Sequence, residues 1–391
     1  MSIILDNIIN ENGYYSITDM PSLKMSCTSP IMAKFSYIHG GNAIIFFEGS
    51  YIPDTNSRIE IDFKDMLSTL FENAEPQMSV NAFVQPDFVK DIRVEISDNE
   101  SKVEINFHIL NVNAHCTSDI IDILGKRFLT WQPNTKETTL SAPEFLTYFH
   151  SSVGEKLTAQ FYYAGGLCEI IPLYGWAGIT PAVTHNVSPA LVLAASACPS
   201  EYKLPFYDIF VTDTSGNRIS MKQRYILKHA TERDKHYLFY NSLGGLDTLI
   251  ATGSLTDKAE ASFDIARTFS GLIPLDISDD YVHSRQNSGY FPTTYIPFLK
   301  DFILSKKKKY IVEAGSCKKL VITECDNEFS NKDSLVTFSF GYRKDNDKTE
   351  IMDIDVNQEL IIENMPSEIH MDNVLMMWDN SIGWENTTMW I

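Results

Sequence analysis

The sequence predicts a mainly β protein: tandem antiparallel β-sandwich-like domains with a few short helices, and one amphipathic helix packed on the third β domain. Three observations carry this. Tyr and Phe are abundant, 18 and 23 of the 391 residues, and β-branched residues run throughout, a bias toward pleated, half-buried surfaces. Short segments alternate apolar and polar residues with a period of two and are separated by Gly, Asn, Asp and Ser turns. Only one long stretch, Pro292 to Lys309, carries a full helical stripe: Tyr295, Phe298, Leu299, Phe302 and Ile303.

Taken in order, residues 1–27 are mixed and turn-rich and read as an N-terminal arm. Residues 28–125 read as a first β-sandwich-like domain of about a hundred residues. Ala33 to Ile38 and Ala43 to Glu48 flank the hairpin turn His39-Gly40-Gly41-Asn42, and Arg58 to Phe63 alternates as a further strand. Met66, Leu67, Leu70 and Phe71 have helical spacing, and a second hairpin joins Asp91–Ile96 to Lys102–Ile109.

Residues 126–228 repeat the theme. Ser141 to Phe149 leads into a strand, and Leu157 to Tyr163 meets Leu167 to Leu173 across Gly165-Gly166. Ser188 is placed to cap a short helix with Pro189 at its first position. Phe206 to Thr212 and Arg218 to Leu227 form a long hairpin. The order hairpin, strand, short helix, long hairpin therefore occurs twice, which suggests an internal repeat.

Residues 229–345 form the third β domain, with its helix at 292–309. Its centre is Tyr237 to Thr252, where Gly244 and Gly245 supply the positive-φ positions of a tight turn. Asn241 reads as a turn-stabilising side chain and Asp247 as part of the same hairpin. Ser262 to Phe269 reads as a strand followed by a loop rich in Ser, Asp and Gly, and Tyr310, Lys319 and Leu335 begin three further strands.

Residues 346–391 are acidic, with ten carboxylates against the single base Lys348, yet Met376, Met377, Trp378, Trp384 and Trp390 punctuate them. A merely solvating tail lacks such aromatics. Two readings stand: a C-terminal interaction arm anchored by its tryptophans, or packing on its own domain.

Net charge narrows the partners. With 32 Lys and Arg against 51 Asp and Glu, the formal charge of −19 argues against binding nucleic acid or anionic membranes. The basic run Lys306 to Lys309 reads as a solvated helix C-terminus. Cys27, Cys116, Cys168, Cys198, Cys317 and Cys325 are scattered, without zinc spacing, and read as reduced, mostly buried thiols. The first residues, with Asp6 and no preceding base, do not read as a secretory signal, and no window reaches the ~20 apolar residues of a membrane span.

Chemistry-bearing constellations are sparse. His108, His115 and Cys116 are close in sequence but alternate between strand faces, which disfavours a metal site. Asp353 with Asp355, and Asp279 with Asp280, lack the glycine-bearing loop of a calcium site. There is no GxSxG, P-loop, GxGxxG or HExxH. No catalytic, cofactor-binding or metal residue is assigned, and no cofactor is implied.

Several phrases in order resemble a family of structural proteins of bacteriophages and prophages of Bacteroides-type hosts. They are Phe128 to Lys136, Pro143 to Tyr148, Tyr207 to Val211, Gly216 to Ser220, Gln223 to Tyr225, Tyr237 to Thr248, Asn287 to Tyr290, Leu304-Ser305 and Leu320 to Thr323, spanning about 120–345. The chain departs from the family's pattern with Tyr240 where Trp is usual and Ser288 where Thr is usual. The resemblance implies a non-enzymatic virion protein, made in the host cytoplasm. It would sit in the tail or portal-proximal collar, assembling with copies of itself and with neighbouring virion proteins. A receptor- or glycan-binding β module is the alternative, and a hydrolase with scattered carboxylates the third reading.

Overall fold

The fold is mainly β, with several sheets, a few short helices and one longer helical segment. A computed structural model describes residues 3–345 except 7–8, 99, 117–118, 164–167, 179–180, 197–205, 269–270 and 327–333, with backbone alone for 259–282.

The first sheet sets two hairpins side by side. Ile31–His39 pairs with Asn42–Tyr51, and Val89–Ser97 with Lys102–Leu110, each antiparallel, and Ile31–His39 lies against Val89–Ser97. Alternation sends Ala33, Phe35, Ile92, Val94, Ile96, Ile105 and Phe107 into one core. That core is closed by Leu23, Met25, Ile59 and Ile61 from a smaller sheet and by Leu67 of the helix Lys64–Ser68. Tyr14–Ser16 adds parallel to Lys102–Leu110 at one edge. The residues expected as an arm thus supply strands, and Ile17, Met20, Leu23 and Met25 are buried.

The same plan returns. Lys156–Tyr162 pairs with Cys168–Gly175, Phe206–Thr212 with Gln223–Lys228, and the hairpins meet between Lys156–Tyr162 and Phe206–Thr212. Thr135–Thr139 adds parallel to Gln223–Lys228, as Tyr14–Ser16 does in the first sheet. Ala182–Asn186 and the helix Pro189–Ala194 stand where Arg58–Ile61 and Lys64–Ser68 stood. The repeat is present as topology, down to the parallel edge strand. Ser188 precedes the second helix but does not cap it: its hydroxyl donates to Asn186 Oδ1 and accepts from Glu144 N.

In the third section Leu246–Ala251, Lys235–Tyr240, Lys309–Glu313, Ser316–Asp326, Ser339–Lys344, Gly271–Asn287 and Leu255–Thr268 lie in that order in one sheet. A 3-10 turn, Thr293–Tyr295, runs into the helix Ile296–Leu304. Its Phe298, Leu299 and Phe302 pack with Tyr237, Phe239 and Phe340, as the apolar stripe requires.

Two expectations fail here. Gly271–Asn287 is a strand of 17 residues rather than a loop, because pairing with Leu255–Thr268 and Ser339–Lys344 overrides its Ser, Asp and Gly content. The helix stops at Leu304, so Lys306 to Lys309 lie beyond it: Lys309 opens a strand and is buried, and Lys308 binds Glu72 and Glu75.

The chain divides after Asn346, and Met1–Asn346 forms one compact unit. The acidic segment with Trp378, Trp384 and Trp390, and the pair Asp353 and Asp355, lie outside the described residues; Asp279 and Asp280 are described as backbone alone. Within the first unit, strands cross the expected borders: Ala82–Val84 pairs with Ala182–Asn186.

Candidate functional site

The hairpin Lys235–Tyr240 with Leu246–Ala251 is buried on both faces. Tyr237 and Phe239 enter the core under the helix, while Leu238, Tyr240 and Leu246 enter another, with Phe83, Phe145 and Tyr310. Its turn touches both earlier β domains. Asn241 Oδ1 accepts from Leu243 N and Gly245 N, at 2.9 and 3.0 Å, and its Nδ2 donates to Asp247 Oδ2 and to Leu129 O. Ser242 Oγ accepts from Trp131 Nε1, Ser242 O accepts from Asn113 N, and Ser242 N donates to Asp301 Oδ2.

The two glycines act differently. Gly244 has φ +84°, and a Cβ there would come within 2.6 Å of Asn111 O and Phe88. Gly245 has no positive φ; a Cβ on it would meet Leu129 O at 2.0 Å, so close approach of two backbones demands it. Turn geometry read from sequence identified the first reason and missed the second.

Polar groups under the hairpin are matched to each other. Lys136 Nζ donates to Glu144 Oε2 at 2.7 Å and Thr248 O at 2.6 Å, and Thr138 donates to Glu144 Oε1. Burial pushes the Glu144 carboxyl up against the pull of Lys136. Burial also pushes Asp247 up to about 7, against hydrogen bonds from Thr130 and Asn241. Lys307 Nζ donates to Asn111 O, and burial pushes its amine down to about 7 although Asp301 is near. Lys136, Glu144 and Asp247 fix a junction, while Lys307 lines an open surface depression with Lys306, Lys309 and Glu324.

Sequence reasoning missed a second buried cluster, because its members are far apart in the chain. His150 Nδ1 lies 2.9 Å from Glu155 Oε2 and its Nε2 3.2 Å from His185 Nε2. Trp176 stacks on His150 and Tyr174 packs on His185. Burial, then the neighbouring His150, hold His185 well below its usual 6.5, and its Nδ1 has no hydrogen-bond partner.

The remaining expected groups are separate. His108 Nδ1 faces Asp91, whereas His115 Nδ1 and Cys116 N face Asp19. Among the described residues no set of three or more His, Cys, Asp or Glu is placed to hold a metal, and no helix is long and apolar enough to cross a membrane. Of the described cysteines only Cys27 is buried; Cys116, Cys317 and Cys325 are half-buried and Cys168 is exposed, contrary to the expectation of mostly buried thiols.

Two surfaces stand open. Among the described residues Asn42–Tyr51 is the last strand of its sheet, paired only with Ile31–His39, and Ile44 and Ile45 on it are 40% and 52% exposed. The second is the outer face of the sheet holding Phe206–Thr212. There buried Asp208 binds Arg224 Nε at 2.6 Å and Nη2 at 2.9 Å, and Lys222 Nζ at 3.3 Å. Burial pushes the Asp208 carboxyl up, but Arg224, Lys222 and Tyr162 outweigh that and hold it below the usual range. Arg224 also covers Phe206, which stacks on Tyr162.

No family model and no curated protein matches the chain. Among solved structures it is similar to the eight N-terminal immunoglobulin domains of Down Syndrome Cell Adhesion Molecule isoform 1.30.30, at 9% identity and TM-score 0.18, covering 74% of this chain and 40% of that one. It is similar to the four N-terminal immunoglobulin domains of Dscam1 isoform 7.44 at 7% identity and TM-score 0.15, covering 81% and 75%. Extracellular cadherin domains 1–4 of protocadherin gamma B7 follow at 8% identity and TM-score 0.13, covering 71% and 70%. The chain spans less than half the length of the first of these, and the three superpositions are too loose to define a shared fold.

Proposed function

We propose that this chain is a non-enzymatic structural protein of a bacteriophage virion, a tail or portal-proximal collar component that assembles as a homo-oligomer with other virion proteins. The order of phrases from Phe128 to Thr323 supports the family, and the free edge Asn42–Tyr51 is the observation that carries the assembly role. An edge strand offers unpaired backbone groups, and monomeric proteins guard such edges with proline or inward charges. This one has no proline, its single charge Glu48 is engaged by Lys34, and its exposed positions include two isoleucines. A bulge at Phe46 bends the strand. Such an edge adds a neighbour's strand.

Sedimentation velocity and negative-stain imaging of the purified protein test this. Closed rings or discrete multiples are the expected species, and Ile45→Lys should dissociate them with the melting temperature held. A monomer at every concentration, or oligomers indifferent to Ile45→Lys, overturns the reading.

A further inference from the structure

The two repeated sheets provide a comparison inside one molecule. On the outer face of the first, charges are paired across strands: Lys34 with Glu48, Arg93 with Glu104, Lys102 with Glu95 and His108 with Asp91. That is how a solvated sheet face looks. The corresponding face of the second sheet carries such pairs too, Glu137 with Lys228 and Asp208 with Arg224 and Lys222, but it also exposes apolar side chains. Ile170, Met221 and Ile226 are 60%, 58% and 37% exposed around the stacked Tyr162 and Phe206. Three cations, Arg218, Lys222 and Arg224, line one shallow depression with a single carboxylate, Asp208.

Asp208 is buried, so it orients Arg224 and Lys222 without presenting its own charge to a partner. A cationic, partly apolar face on a chain of net charge −19 fits an acidic polypeptide with apolar anchors. One stretch with that composition is in this chain: residues 347–391, where eight carboxylates precede Met376, Met377 and Trp378, and Asp379 and Glu385 lie among these and Trp384 and Trp390. At ~3.3 Å per residue when extended, it has the reach to leave its own copy.

We infer that the face formed by Arg218, Lys222, Arg224, Tyr162 and Met221 receives the acidic segment Asp347–Ile391 of a second copy. This rests on the homo-oligomeric reading above and names a contact that would hold the copies together. Carboxylates meet Arg218 and the free sides of Lys222 and Arg224, and Trp or Met side chains cover Met221 and Ile226.

The test uses full-length protein with a photo-crosslinking amino acid at Met221, mixed as equal parts of light- and heavy-isotope chains. Crosslinks to peptides of 347–391 carrying the other isotope label are expected, and Arg218→Glu with Lys222→Gln should reduce their yield about tenfold. Pairing that double variant with Glu363→Lys, Glu368→Lys and Asp372→Lys chains should restore part of the yield if the contact is electrostatic. Crosslinks confined to one isotope label, or to residues outside 347–391, overturn the inference, as does binding of a glycan array that the double variant abolishes. Sedimentation separates the two readings. Oligomers that persist without the crosslink defeat this contact alone, whereas a monomer at every concentration defeats the homo-oligomer and this contact with it. Thermal melting of each variant identifies any that has merely unfolded.

Discussion

Asn241 Nδ2 donates to the backbone carbonyl of Leu129 at 2.6 Å, joining two turns 112 positions apart in the chain. The same side chain closes its own turn through Leu243 N and Gly245 N and meets Asp247. Removing it leaves Leu129 O and the two amides buried without a partner, at about 1–3 kcal/mol per unsatisfied group. Asn241→Ala is therefore expected to lower unfolding free energy by about 2–4 kcal/mol in urea titration. A variant that unfolds like the parent yet fails to assemble would show that the side chain serves recognition instead.

Gly245→Ala should be worse than Gly244→Ala relaxed by a local turn change. The added methyl at 245 meets the carbonyl of Leu129 at 2.0 Å, and backbone on both sides leaves no flexible side chain to yield. A loss above about 3 kcal/mol, or failure to fold, is expected. Differential scanning calorimetry of the two variants provides the ranking, and equal melting temperatures contradict it.

Acid should weaken the second β domain through His185. Its folded pKa lies below 6.5, so the unfolded chain takes up the proton first as pH falls. The contribution is whole above pH 6.5 and is lost as pH drops below it toward the folded value, by up to about 1.4 kcal/mol per pH unit. Asp247, raised to about 7, works the other way: its contribution is present in acid and is lost as pH rises from 3.8 toward 7. Urea titrations at pH 7.5 and 5.5 should show a larger acid loss in the parent than in His185→Gln. Identical pH slopes would exclude the histidine as the source.

Lys307 predicts an alkaline gain. Its amine titrates at about 7 in the fold against 10.5 outside it, so stability rises as pH climbs through that interval. Lys307→Met removes the half-buried ammonium, keeps the volume, and should flatten this slope while leaving stability near pH 7 equal or higher. A steep slope surviving in the variant assigns the gain to another group, with Lys309, pushed down to about 8, the nearest.

How much of this was readable beforehand depended on the range of the interaction. Hairpins such as Val89–Ser97 with Lys102–Leu110 are encoded by alternation and turn residues a few positions apart, and so was the twofold order of elements. The helical stripe of Phe298, Leu299 and Phe302 was legible for the same reason. Lys309 was misread because its burial comes from the strand it opens, which no local charge pattern reports. Gly271–Asn287 was misread because its neighbours in the sheet, not its own composition, make it a strand. His150 and His185, 35 positions apart, meet only through the pairing of Phe145–Phe149 with Ala182–Asn186, and Arg224 with Asp208 only through antiparallel register.

The central hairpin also has a place in time. A ribosome makes both repeated units before Leu238, Tyr240, Leu243 and Leu246 exist, yet Phe88, Leu110, Leu129, Phe83 and Phe145 are buried against those residues. Until synthesis passes Ala251 the two units have their own cores but unsealed flanks, open to chaperones or to strand pairing with other nascent chains. Closing that interval is the hairpin's earliest task, and a pause in translation just before residue 235 should raise aggregation more than one just after 251.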